Sequence, residues 1–190
     1  MPCRWCGADV RCGRGVSDYI VDVDNVAAGR AATQHLVDTG RTRIATISGP
    51  LTMLASVDRA QGFRDALADA GLTPLAEEEG DYSEASGAEA VRRILASGTP
   101  DAIFVASDLM ARGALTAMRS IGLRVPEDVA LMGFDDSSVA LSTDPPLTTM
   151  RQPMYLQGET MTAVLLSRLA GGEPEKMTIL PTELVVRASA

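Results

Sequence analysis

Histidine occurs once in this chain of 190 residues, at His35, and no cysteine lies beyond residue 12. A structural zinc site wants four nitrogen or sulfur ligands, so the body of the chain lacks the histidine and cysteine clusters to build one. A Ser-His-Asp triad would have to recruit His35, which sits inside a helical pattern beside Ala32 and Leu36, and no GxSxG elbow occurs. Neither GxxxxGK[ST] nor a GxGxxG following a strand is present, so nucleotide-phosphate loops are unsupported and no cofactor or metal is expected. Basic excess is missing as well. Seventeen Lys and Arg against 25 Asp and Glu give a net charge of −8, which argues against a nucleic-acid face on this chain. No run approaches the roughly 18 apolar residues of a membrane helix, and no charged and then apolar segment opens the chain. Both absences predict a cytoplasmic protein with no membrane partner. What is present, 46% hydrophobic and 22% charged residues, belongs to a globular chain long enough for one ordinary domain.

Residues 1–17 stand apart. They hold Cys3, Cys6 and Cys12, the single Trp5, three arginines (Arg4, Arg11, Arg14) and three glycines (Gly7, Gly13, Gly15), with no periodicity. Cys3 and Cys6 have CxxC spacing, but three thiols without a nearby fourth ligand make a poor zinc knuckle. The stretch reads as an atypical leader, disordered or foreign to the rest of the chain.

From Asp18 the pattern becomes regular. Tyr19 to Val23 reads as a strand, and Asp24 or Asn25 can cap a helix running to about Thr39, with Ala28, Ala32 and Leu36 as its apolar stripe. Ile44–Ile47 is the next strand, broken by Gly49-Pro50. A helix runs from about Ser56 to Ala70. Leu75 to Gly80 is a strand by position, but Glu77-Glu78-Glu79 makes it an edge strand, and a helix to about Ala96 comes next. The centre of the pattern is Ala102 to Asp136: an apolar run to Ala106, Ser107-Asp108, an amphipathic run to Ile121, and Val129 to Phe134 closing on Asp135-Asp136. That is a βαβ unit with parallel strands. Leu147 to Met150 is a short strand, Pro153 opens a helix to about Leu169, and Met177 to Val186 is a last strand interrupted by Pro181. Strands alternating with helices of about ten to fifteen residues predict a parallel α/β sheet.

Ligands of open α/β sheets bind beyond the carboxyl ends of the strands, so Ser107, Asp108, Asp135 and Asp136 form a candidate rim that accepts hydrogen bonds from hydroxyls or amines. Asp108 also suits a helix cap. Asp135 and Asp136 could instead hold Mg²⁺ in the manner of a receiver-type phosphoacceptor.

The chain from Asp18 resembles the effector-binding domain of the lactose/galactose-repressor (LacI/GalR) family of bacterial transcription regulators. The resemblance is carried by Val23-Asp24-Asn25, Ala28-Gly29, Gly40-x-x-x-Ile44-Ala45, Gly49-Pro50 and Arg59-x-x-Gly62-Phe63. It continues through Gly80-Asp81-Tyr82-Ser83, Ala106-Ser107-Asp108-x-Met110-Ala111-x-Gly113-Ala114-Leu115, Gly133-Phe134-Asp135-Asp136, Pro146-Leu147-Thr148-Thr149-x-Arg151-Gln152 and Leu180-Pro181-Thr182-Glu183-Leu184-Val185-Val186-Arg187. It implies an α/β parallel-sheet three-layer sandwich of the periplasmic-binding-protein-like type I, here mainly the C-terminal subdomain. Residues 18–152 would form that subdomain, 153–172 a crossover helix belonging to the N-terminal subdomain, and 173–190 a final strand returning to the C-terminal one. It also implies a small-molecule effector, a sugar or sugar-like ligand. By position, Arg59 would bond ligand hydroxyls or a carboxylate, Tyr82 would stack on the ligand ring, Asp135 would accept from hydroxyls or N–H groups, and Gln152 would add an amide. Ser107 stands where the family usually has Asn, and Met53 where some members place a polar contact. As bare residues, Arg59 also reads as a helix-surface cation and Tyr82 as a core ring.

Family members carry a helix-turn-helix headpiece and several βα units ahead of the matching region, so DNA would be reached only through a headpiece absent from this chain. The apolar face Met161, Val164, Leu165 would lack its usual cover. A homodimer is expected, formed through the helix after Asp108, through Ser137–Leu141 or through that face. A solute-binding protein of a sugar transporter is the alternative of the same fold, and an Mg²⁺-dependent phosphoacceptor the third reading.

Overall fold

The computed structural model describes residues 19–190, so the expectation for the Cys-rich leader lies outside the described residues. In chain order the elements are β1 (Ile20–Val23), α1 (Asn25–Asp38), β2 (Ile44–Ser48), α2 (Leu54–Asp69), β3 (Glu77–Glu79), α3 (Glu84–Ser97), β4 (Ala102–Val105), α4 (Asp108–Ser120), β5 (Ala130–Asp135), α5 (Ser138–Ser142), β6 (Thr148–Arg151), α6 (Met154–Leu169), β7 (Met177–Leu180) and β8 (Glu183–Val185). They divide into two compact units. The larger contains Val23–Pro153 and Pro181–Ala190, and the smaller contains residues 19–22 with Met154–Leu180.

The larger unit is built on a six-stranded sheet in the order β3-β2-β4-β5-β6-β8. Five strands run parallel and β8 pairs antiparallel to β6. Side chains alternate across a strand, and here both faces are covered, which is why the central strands read as unbroken apolar runs. Ile44, Ala102, Phe104, Ala130, Met132 and Phe134 meet Ala28, Ala32, Leu36, Phe63 and Leu67 of α1 and α2 on one face. Ala45, Ile47, Ile103, Val105 and Leu131 meet Ala90, Val91, Ile94, Met110, Ala114 and Met118 of α3 and α4 on the other. The result is the three-layer α/β architecture expected.

Each helix pair crosses at glycine. A methyl on Gly62 would strike the Val26 carbonyl of α1, and one on Gly113 would strike the Glu84 carbonyl of α3. These close approaches draw α1 against α2 and α3 against α4, which sets where the helix starts stand above the strand ends.

Differences from the sequence reading are local. The glutamates of β3 do lie on the sheet edge, and Arg64 and Arg93 neutralise Glu77 and Glu78. The stretch read as one interrupted last strand is two strands in different sheets: Pro181 has no N–H to continue a ladder and ends β7, and β8 then joins β6. Asp24, not Asn25, caps α1, accepting from Ala27 N–H at 2.9 Å. Ser107, not Asp108, caps α4.

In the smaller unit β1 pairs with β7, and Ile20 N–H donates to the Lys176 carbonyl at 2.8 Å. Gln157 of α6 donates to the Val21 carbonyl at 3.1 Å, and the Arg168 guanidinium lies 5.2 Å from the centre of the Tyr19 ring. No residue of α6 is buried. Among the described residues, no helix is long and apolar enough to cross a membrane.

Candidate functional site

Parallel strands leave their carboxyl ends at one edge of the sheet, and the candidate residues collect there. Arg59 approaches that edge from α2. Its side chain is buried, with Nε donating to Asn25 Oδ1 at 2.9 Å and Nη1 donating to the Ala106 carbonyl at 2.8 Å. The guanidinium lies on Phe134, 3.6 Å from the ring centre, so β5 supplies the platform, α1 one anchor and the end of β4 the other. Arg59 is therefore not a helix-surface cation.

Asp135, the last residue of β5, sits beside that cation. Burial pushes its carboxyl above the usual carboxylate range, opposed by the positive charge of Arg59 and by a hydrogen bond from Gln152. Gln152 Nε2 donates to Asp135 Oδ1 at 2.7 Å, and Gln152 N–H donates to the Asp135 carbonyl at 3.2 Å. Asp135 and Asp136 both have positive φ, 111° and 56°, conformations that L residues seldom adopt and that recur at ligand clamps. The consecutive turn sends the two carboxylates to different partners. Asp136 accepts from Arg151 Nε at 2.7 Å and from Arg187 Nη2 at 2.5 Å. Burial works against its ionised form, but these two arginines outweigh it and hold the carboxyl below its ordinary value. The pair is thus split between a polar contact at the rim and an ion-pair network. Among the described residues, no group of three or more His, Cys, Asp or Glu side chains is arranged to hold a metal ion.

Tyr82 enters the same edge after β3, with φ 68°. Its hydroxyl lies 2.6 Å from the Ser56 hydroxyl, and its ring occupies the space that a side chain on Gly49 would need. Ser107 is buried, and its hydroxyl accepts from Met110 N–H at 3.3 Å. Arg59, Asp135 and Gln152 are brought together, Ser107 comes directly after the carbonyl that anchors Arg59, and Tyr82 is tied instead to Ser56 and Gly49.

Sequence reasoning passes over three residues. Asn25 reads there only as a cap; a buried amide directly after a capping Asp24 is the signal that it has another partner. Phe134 reads as an ordinary core ring until its stacking on Arg59 is seen. Thr149 looks like a strand residue, yet its hydroxyl donates to Asp108 Oδ1 at 2.7 Å.

A family model described as a periplasmic binding protein-like domain matches residues 33–190. The chain belongs to that family. A relative, the HTH-type transcriptional regulator CelR of Thermobifida fusca, is 46% identical over 173 residues, covering 89% of this chain and 51% of the relative. Among solved structures, a transcriptional regulator CelR–cellobiose complex has a TM-score of 0.87 at 46% identity, covering 90% of this chain and 54% of that one. A lac repressor dimer bound to operator and the anti-inducer ONPF has a TM-score of 0.84 at 35% identity, covering 89% and 52%. The periplasmic binding protein-like domain of this chain is thus of the LacI type, and the likeness extends from the motifs to the fold. The chain spans about half the length of the curated relatives it matches.

Proposed function

We propose that this periplasmic binding protein-like domain is the effector-binding part of a LacI-type transcriptional regulator, and that its effector is a sugar or sugar-like molecule. The observation that carries the reading is the juxtaposition of Arg59, fixed on Phe134, with the Asp135–Gln152 pair at the carboxyl ends of the strands. A hydroxyl both donates and accepts, so a polyol is matched by a site that offers a planar guanidinium beside a carboxylate and an amide. Arg59, Asp135 and Gln152 are assigned the polar contacts, Tyr82 the ring stack and Ser107 a hydroxyl contact. A relative of this chain is solved as a complex with cellobiose, which supports the sugar class.

In the parent protein, ligand binding would favour one of two conformations and so change operator affinity, the DNA contact belonging to a separate headpiece. Residues 18–152 act as the effector-binding subdomain in this reading, with 153–172 as a crossover helix and 173–190 returning the chain. A homodimer is the expected assembly, as in the lac repressor relative. The role is that of a binder and not of a catalyst, exercised in the cytoplasm.

A thermal melt against sugars, sugar phosphates, nucleosides and purines tests this. A ligand at a hundredfold excess over Kd adds about 2.7 kcal/mol of stability, a rise of several degrees in Tm. The expected result is a shift with a sugar that disappears in Asp135→Ala. A shift with a nucleoside or purine alone would overturn the sugar class, and a sugar shift that survives Asp135→Ala would overturn the site.

A further inference from the structure

Asp108 is completely buried at the first position of α4 and makes no ion pair among the described residues. Capping does not explain it, because Ser107 performs that role. Instead its carboxylate gathers donors from two other segments. Oδ2 accepts from the Ser137 backbone N–H at 2.8 Å and from the Ser137 hydroxyl at 3.1 Å, and Oδ1 accepts from the Thr149 hydroxyl at 2.7 Å. Gly133 of β5 leaves the space, since any side chain there would strike Oδ1.

The places it ties down are informative. Ser137 comes directly after Asp135 and Asp136, the two residues with positive φ. Thr149 lies on β6, three positions before Gln152. One buried carboxylate therefore fastens the backbone leaving Asp135 and the strand leading to its amide partner. We infer that Asp108 is the positioning residue of the effector site: it contacts no ligand, and its ionised carboxylate holds the Asp135 turn and β6 in the arrangement that presents Asp135 and Gln152. The inference rests on the effector-binding reading of that site.

The charged group bearing on Asp108 is Asp135 of β5, itself facing Arg59; the turn and β6 offer only N–H and hydroxyl groups. Burial pushes the Asp108 carboxyl up to about 6, against the hydrogen bonds from Thr149 and Ser137, with Asp135 adding to the rise. Protonation converts one acceptor into an O–H, so the clamp loosens on acidification.

The test uses the 190-residue chain, the variants Asp108→Asn, Thr149→Val and Thr149→Ser, and two readouts. In amide hydrogen exchange at pH 7.5, Ser137 N–H should exchange at least tenfold faster in Asp108→Asn and faster in Thr149→Val. Ile103 and Leu131 in the sheet should keep their protection, and Thr149→Ser should behave as wild type. In calorimetric titration with cellobiose, wild-type affinity should fall several-fold between pH 7.5 and 5, and Asp108→Asn should bind weakly with a shallower profile, its remaining slope belonging to Asp135. Ser137 protection unchanged in Asp108→Asn would overturn the inference. So would faster exchange at Ser137 only in step with Ile103 and Leu131, or a variant with wild-type affinity and pH profile. If the wild type does not bind cellobiose, the choice of that sugar is what fails, and the exchange arm alone decides on Asp108.

Discussion

Arg59, Asp108 and Asp136 show three ways of keeping a charge inside this domain. Arg59 divides its donors between an amide and a carbonyl and spreads its cation over Phe134. Asp136 is matched by two arginines, so its ionised form is favoured despite burial. Asp108 has neutral donors alone, and burial wins. The two acids therefore respond to pH with opposite signs. Native Asp108 binds its proton at about pH 6 and the unfolded chain at about 3.8, so its contribution to stability is fully present below the unfolded value and is lost as pH rises through 6. Two pH units correspond to on the order of 3 kcal/mol. Denaturant unfolding of wild type and Asp108→Asn should therefore show a difference between the two that changes by roughly that amount between pH 4 and 7. A constant difference would mean that the native carboxyl titrates at its ordinary value. Asp136 acts in the opposite direction, stabilising above its unfolded value and losing that contribution as the pH falls below it.

Elements in this fold are placed by contacts that composition does not disclose. Gly113 and Gly158 look alike in the sequence, each a glycine inside a helical run, but their surroundings differ. At Gly113 a methyl meets the backbone of α3; at Gly158 it meets nothing within 4 Å. Gly113→Ala should then lower stability by about 2–4 kcal/mol through forced separation of two helices. Gly158→Ala should raise it by up to about 1 kcal/mol through helix propensity. Urea midpoints of the two variants decide this, and equal effects would show that α3 and α4 are not in backbone contact. Pro181 belongs at this scale too. Its position in the last apolar stretch is plain, but that it separates strands of two different sheets depends on pairing partners far away in the chain.

For the whole molecule, the division into two units predicts unequal local stability. The larger unit buries both faces of its sheet, whereas α6 in the smaller one has no buried residue and exposes Leu165, Leu166 and Leu169. Segments with few buried apolar contacts open most readily. Limited proteolysis at low protease should cut first within Met154–Leu180 and leave Val23–Pro153 intact, as read by mass spectrometry of the early fragments. First cleavage inside the six-stranded sheet would contradict it.

The sequence alone determined the alternation of strands and helices, because hydrophobic period and run length are local properties that survive without tertiary context. It also determined the direction of the sheet and hence the edge at which Ser107, Asp108, Asp135 and Asp136 stand. The resemblance to the LacI/GalR family singled out Arg59, Tyr82 and Gln152. Only the tertiary structure decided what each polar group does at that edge. Asn25 and Phe134 belong to Arg59, Thr149 and Ser137 belong to Asp108, and the adjacent acids Asp135 and Asp136 turn to different partners. The hydrogen bonds among these groups join residues from 15 to 51 positions apart, and a left-handed backbone turn separates the two carboxylates. No local pattern encodes either, because a buried charge is settled by whichever donors the packed helices bring to it.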